Sequence, residues 1–200
     1  GNMQYIKLLR TPGLYPMSRF QLLWAILMFV GIPAWTLMIA LLPIAAYQAK
    51  SVPNFPTSTA IALYIVFFTM YLMPKIAGLI DAVLTKDGVQ RYGGWVRFVI
   101  SAAMELTFSF LQGAVSTIRT SIFMIGLAFG KSVIWGGQSR DAARLSWEDA
   151  ARNLWPQTLF GIVVCGLLLL IEPAVFTWSL PLTAGYLLAI PFAVVTASPG

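Results

Sequence analysis

The sequence predicts an all-α integral membrane protein. Of its 200 residues 58% are hydrophobic and 10% are charged, whereas a soluble domain carries roughly 25% charged residues. The mean hydropathy is +0.79, and uncharged runs such as 20–46 exceed the roughly 20 residues that a transmembrane helix needs. We therefore expect a bundle of about six transmembrane helices, with short amphipathic helices at the membrane surface.

The first half of the chain divides by charge. Residues 1–19 are basic and contain prolines, so they predict a cytosolic or interfacial segment. Residues 20–73 hold two apolar runs and predict two spans. In 74–97 apolar residues recur at helical spacing from Ile76 to Leu84, which predicts a short amphipathic helix over 75–86 lying in the membrane plane.

Residues 98–130 allow two interpretations. The segment is apolar except for Arg119 and is longer than one span requires. A hairpin of two spans that turns at Arg119-Thr120-Ser121 is the first interpretation. A re-entrant or interfacial helix is the second, and it would reduce the number of spans to four.

The last third begins with the polar segment 131–156. Ser146-Trp147-Glu148-Asp149 matches a helix-capping pattern and predicts a surface helix over 147–155 that ends at Pro156. Residues 157–196 predict two further spans, broken at Glu172, which we interpret as a solvated turn residue.

Charge predicts the orientation in the membrane. All but two of the 13 Lys and Arg residues lie in 1–19, 74–97 and 131–156, and the exceptions are Lys50 and Arg119. Because basic residues concentrate on the cytoplasmic side of membrane proteins, these three segments and both ends are expected in the cytosol. The basic excess then needs no nucleic-acid partner.

The composition also limits the chemistry. There is no His and one Cys, which excludes histidine-based catalysis and a zinc site made by this chain. No paired carboxylates and no phosphate-binding glycine loop occur. The sequence therefore predicts no catalytic residue, no metal ligand and no cofactor bound by this chain.

Glu105 stands out because a carboxylate inside a span is costly unless it is neutral, paired or hydrated. It belongs to a stripe of polar residues that share one face of a helix, namely Ser101, Glu105, Ser109, Gln112 and Ser116. Such a stripe either packs against neighbouring helices through hydrogen bonds or lines a path for a polar substrate. Aromatic rings suit the flat faces of sugars, and Trp35 and Tyr71 are candidates to line the same path.

An ordered set of motifs resembles a known family across the whole chain. The set comprises Gly1-Asn2-Met3-Gln4, Leu8-Leu9, Pro12-Gly13-Leu14, Ser18-Arg19, Pro74-Lys75, Gly78-Leu79-Ile80-Asp81, Gly93-Gly94, Arg97-Phe98, Glu105, Gly130-x-Ser132-Val133-x-Trp135, Gln138-x-Arg140-Asp141, Ser146-Trp147 and Ile190-Pro191 to Thr196. It resembles the membrane region that follows the catalytic domain in bacterial glucans biosynthesis glucosyltransferase H, a processive family-2 glycosyltransferase.

The resemblance implies an inner-membrane enzyme that polymerises glucose from UDP-glucose, with Mg²⁺, into the backbone of periplasmic glucans. The motifs that bind UDP-glucose and metal in that family do not occur here, so both ligands are expected in a catalytic domain outside these 200 residues. The expected partners of this chain are that domain, the lipid bilayer and the growing glucan. The alternative is a stand-alone channel or transporter piece, or a structural membrane subunit.

Overall fold

The computed structural model describes residues 5–130 and 145–198, and these fold into helices without a strand. The helices are α1 Tyr5–Leu8, α2 Pro16–Lys50, α3 Thr57–Leu84, α4 Gly88–Arg91, α5 Trp95–Ala128, α6 Trp147–Ile171, α7 Pro173–Leu187 and α8 Ala189–Thr196. Residues 131–144 lie outside the described residues, and with them most of the predicted cytosolic segment 131–156.

The predicted fold class is confirmed, although the number of spans differs. Within the described residues four helices, α2, α3, α5 and α6, are long and apolar enough to cross a membrane. The pair α7 and α8 is bent by 56° and together could form a fifth span. Six separate spans are therefore not found in the part of the chain that the structure describes.

The predicted hairpin turn within 98–130 is wrong, because Arg119, Thr120 and Ser121 lie inside the continuous helix α5. The Ser121 hydroxyl donates to the Thr117 carbonyl at 2.7 Å, and Ile118 and Ser121 are buried. One arginine interrupts the apolar run but does not break a helix, since no Gly or Pro accompanies it.

Two prolines at the boundaries of predicted helices lie inside longer helices instead. Pro74 is within α3, so the separate amphipathic helix predicted over 75–86 is the continuation of that helix. Pro156 is within α6, so the predicted surface helix 147–155 and the span after it form one helix. A proline removes one backbone donor, and transmembrane helices tolerate this where neighbouring groups satisfy the freed carbonyl.

Helix α5 contacts both α2 and α3. The Thr36–Ser121 hydrogen bond of 2.8 Å joins it to α2, and the Lys75–Glu105 ion pair of 2.8 Å joins it to α3. Its length and composition would allow a span, and whether 98–130 crosses the membrane or forms a re-entrant or interfacial helix stays a prediction.

The core is shared by α2, α5, α6 and α7. Its buried side chains are Ile39, Ala46, Ala114, Ile118, Val164, Leu168 and Tyr186. Two glycines allow close packing there, because a Cβ on Gly161 would lie 2.8 Å from the backbone nitrogen of Leu187, and one on Gly185 would lie 2.6 Å from the Ala114 side chain. Helix α3 contributes no buried residue.

Glu172 is more than a solvated turn residue. It separates α6 from α7, and its carboxylate lies 3.3 Å from the Lys50 ammonium at the end of α2. Lys50 also donates to the Ile171 carbonyl. The C-terminal ends of α2 and α6 therefore lie at the same end of the bundle, and the two helices run parallel.

The predicted cap at the start of α6 is confirmed. The Ser146 hydroxyl accepts a hydrogen bond from the Asp149 backbone N–H at 3.0 Å and donates to the Asp149 carboxylate at 2.7 Å. We expect Ser146→Ala to lower the free energy of unfolding by about 1 kcal/mol, since a backbone donor loses its acceptor. Chemical denaturation of the variant would measure this, with Ser198→Ala at the far end of the chain as the control. Equal midpoints for the two variants would contradict the cap.

Candidate functional site

Helix α3 stands apart from the core and touches the bundle mainly through aromatic side chains. Phe68 and Tyr71 lie against Phe110 of α5, with ring centroids 5.7 Å and 5.6 Å apart. Tyr64 donates its hydroxyl proton to the Trp178 carbonyl of α7 at 2.7 Å. Long side chains thus bridge a space that the helix backbones leave open.

The first part of this space is an aromatic pocket of about 220 Å³ between α2, α3, α5 and α7. The rings of Trp35, Phe67, Phe68, Tyr71 and Phe110 line it. Gly113 adds room on the α5 side, because a Cβ there would lie 3.5 Å from the Tyr71 hydroxyl oxygen. Flat apolar faces with a few hydroxyls at their edges are suited to stacking against a sugar ring.

The second part is a groove of about 340 Å³ between the C-terminal half of α3 and the N-terminal half of α5. Its charged residues are Lys75 and Glu105, whose ammonium nitrogen and carboxylate oxygen are 2.8 Å apart. The side chains are 33% and 61% exposed, respectively. The pairing explains how a carboxylate is tolerated in an apolar helix, because a nearby cation offsets its charge.

A third cavity, of about 500 Å³, lies between α3 and α7 and is lined by Tyr64, Thr69, Leu72 and Trp178 among others. The three cavities follow α3 from Tyr64 to Ala82. That length is about 27 Å of helix, close to the roughly 30 Å of a bilayer's hydrocarbon core. We call these three cavities together the α3 crevice.

The structure separates the predicted site residues into groups. Trp35 and Tyr71 meet in the aromatic pocket, and Ser101 and Glu105 line the charged groove. The remaining three line none of the cavities described here. Ser109 donates to the Glu105 carbonyl at 2.7 Å, while Gln112 and Ser116 are 3.4 Å apart on the exposed side of α5.

Sequence reasoning missed two features of this region. Lys75 lies in the segment 75–86, which the sequence predicts as a separate surface helix, so its pairing with Glu105 was not foreseen. The opposite face of α5 carries further polar groups, since Thr117 lies 2.9 Å from the Tyr186 hydroxyl and Ser121 lies 2.8 Å from Thr36. Their spacing of four residues was a visible signal of a second polar face.

Comparison with known proteins gives relatives across the whole chain. The chain is 26% identical to glucans biosynthesis glucosyltransferase H of Pseudomonas putida, with 98% of this chain and 24% of the relative covered. Proteins of the same name in Pseudomonas fluorescens and Pseudomonas aeruginosa are 24% and 25% identical over 100% and 98% of this chain. No family model matches, and no solved structure matches.

The chain spans about a quarter of the length of these relatives. The similarity to these relatives is independent of the ordered motifs and agrees with them. Over nearly its whole length the chain is similar to curated glucans biosynthesis glucosyltransferase H, which confirms the resemblance seen in the sequence.

Proposed function

We propose that this chain is the membrane part of an inner-membrane glycosyltransferase, and that it passes a growing glucan toward the periplasm along the α3 crevice. The observation that carries the proposal is the run of cavities beside α3, which extends over about one bilayer thickness. The names of the relatives supply the substrate class, since they are glucosyltransferases of glucan biosynthesis.

The chemistry of the crevice suits a sliding polymer. Aromatic faces at Trp35 and Tyr71 offer stacking surfaces for the apolar faces of glucose units. Lys75, Glu105 and Ser101 offer donors and acceptors for the hydroxyl groups. Such contacts are individually weak, and conduction requires binding that still permits release.

The catalytic step belongs, in this proposal, to a domain outside these 200 residues. That domain would bind UDP-glucose and Mg²⁺ and join each new glucose to the end of the chain. The helices described here then guide the product and hold the catalytic domain at the membrane. The C-terminal end of α3 and the N-terminal end of α6 would form a collar beneath it.

The orientation is supported by the parallel course of α2 and α6. The Lys50–Glu172 pair joins their C-terminal ends, so their N-terminal ends lie together at the other end of the bundle. In the sequence, residues 1–19 include the start of α2 and residues 131–156 include the start of α6, and both segments are rich in basic residues. Cytosolic placement of that end satisfies the positive-inside rule.

A photo-crosslinking experiment tests the proposal. Benzoylphenylalanine replaces Tyr71, which lines the aromatic pocket, in the intact membrane enzyme during synthesis from radiolabelled UDP-glucose. We expect the label to become attached to the protein on illumination. Met70 is the matched control, because it is the next residue of α3 and is 70% exposed on the outer surface.

Labelling at Tyr71 but not at Met70 would support passage along the crevice. Equal labelling at both positions, or labelling at neither while glucan is made, would contradict it. Retained activity in each variant shows that the enzyme is folded, so a negative result is informative.

A further inference from the structure

A separate groove, outside the α3 crevice, lies between α1 and the first turns of α2. It has a volume of about 490 Å³, within the roughly 300–1,000 Å³ typical of small-molecule sites. Its walls combine two kinds of side chain. Apolar groups come from Leu8, Leu14, Leu22 and Ala25, and polar groups come from Tyr5, Thr11, Ser18 and Gln21.

The groove mixes polar and apolar walls. Ser18, Leu22 and Ala25 of α2 are half-buried and recur at intervals of four and three residues, so they share one helix face. Leu14, which precedes the helix, is also half-buried. Thr11 and Ser18 supply hydroxyl groups near the start of α2, and Leu22 and Ala25, about one and two turns after Ser18, supply apolar surface.

Positively charged residues adjoin the hydroxyl residues of the groove in the sequence. Arg10 directly precedes Thr11, and Arg19 directly follows Ser18, with Lys7 on α1 nearby in sequence; all three are exposed. Residues 1–80 contain no Asp or Glu. Among the described residues no carboxylate lies within ion-pairing distance of these three cations.

Exposed aromatic residues that favour the membrane–water interface lie close in sequence to this groove. Tyr15, Phe20 and Trp24 are 78%, 58% and 58% exposed, and the rings of Phe20 and Trp24 stack at 6.1 Å. Tyr and Trp concentrate at membrane–water interfaces, and cations there attract anionic lipids.

We infer that the α1–α2 groove binds one anionic phospholipid, with its headgroup attracted by Arg10 and Arg19, the sequence neighbours of the groove residues Thr11 and Ser18, and part of an acyl chain against Leu22 and Ala25. The combination of hydroxyl-bearing and apolar walls matches the two parts of such a molecule. The local excess of cations selects an anionic headgroup over a zwitterionic one. This inference concerns a lipid bound at the groove and does not depend on a glucan path.

The test uses the intact protein in nanodiscs that contain photoactivatable phosphatidylglycerol or the matching phosphatidylcholine. We expect phosphatidylglycerol to label peptides within 5–25 and phosphatidylcholine to label them weakly. Neutralising both arginines, R10Q with R19Q, should reduce the preference for phosphatidylglycerol roughly tenfold. K86Q with R91Q removes two other exposed cations and should leave the preference unchanged.

A second pair of variants tests the acyl part separately. Ala25→Trp fills the apolar end without changing charge and should reduce labelling, whereas Leu23→Trp lies outside the groove and should not. Circular dichroism confirms that each variant is folded. Equal labelling by the two lipids, no effect of R10Q with R19Q or of Ala25→Trp, or displacement of the lipid by inorganic phosphate would each overturn the inference.

Discussion

Replacing Gly185 with leucine should destabilise the bundle by about 3 kcal/mol, the upper part of the usual range for overpacking. A Cβ at this position would lie 2.6 Å from the Ala114 Cβ and 2.9 Å from the Leu111 carbonyl oxygen. Because the second atom belongs to the backbone of α5, it cannot turn aside as a flexible side chain can. The helices α5 and α7 would have to separate, and the buried side chains Ala114, Ile118 and Tyr186 would lose packing contacts with each other and with the rest of the core.

Thermal unfolding followed by circular dichroism measures this effect. The scaling for soluble domains of this size predicts a fall in Tm of about 6–12 °C for that loss. Gly166→Leu is the matched control, since no atom outside its own helix backbone lies within 4 Å of a Cβ there. If the two variants unfold at the same temperature, the close packing of α5 against α7 is not part of the folded protein.

Replacing Gly113 with phenylalanine should close the aromatic pocket and lower glucan formation by the intact enzyme on the order of tenfold or more, as expected for a blocked conduction path. A Cβ at Gly113 is in ordinary contact with the Tyr71 hydroxyl at 3.5 Å. A ring on that Cβ would extend into the pocket of about 220 Å³ that the path requires.

A graded series makes this prediction specific. Gly113→Ala fits the available space and should retain activity, whereas leucine and then phenylalanine should lower it in steps. Gly166→Phe adds the same ring to the exposed side of α6 and should leave activity unchanged. Full activity of Gly113→Phe in a folded enzyme would show that the glucan takes another route.

The sequence predicted the helical membrane fold because composition alone forces it: a chain with so few charged residues cannot form a solvated surface around one core. It also predicted the Ser146 cap, because a cap depends on residues three positions apart. Both properties are local or compositional, and neither requires knowledge of which helices are neighbours.

The errors arose where tertiary context decides. Pro74 and Pro156 end helices in isolation but are tolerated within long apolar helices. A turn at Arg119 was expected because the apolar run is longer than one span needs and Arg119 interrupts it. In the structure this side chain is exposed on the continuous helix α5. The Lys75–Glu105 pair joins residues thirty positions apart, and no periodic pattern reveals such a contact.

The sequence predicted individual residues of the candidate site, but it did not predict which of them lie together. Trp35 and Tyr71 were selected for their rings and Glu105 for its charge. Helical spacing grouped Glu105 with Gln112 and Ser116, although the structure places the last two outside the cavities. Helical spacing predicts which residues share a face of α5, but it does not reveal beside which part of that face α3 lies, and the role of these residues in a path stays a prediction.

Helix α3 has no buried residue, whereas α2, α5, α6 and α7 share the buried core. Shifting a helix out of a close-packed core costs many contacts at once, but α3 is joined to the bundle chiefly by aromatic contacts, one hydrogen bond and one ion pair. A small outward displacement of α3 would therefore cost less than the same displacement of one of those four helices. If the glucan takes the proposed path, the width of the α3 crevice is the dimension of the bundle that is easiest to change.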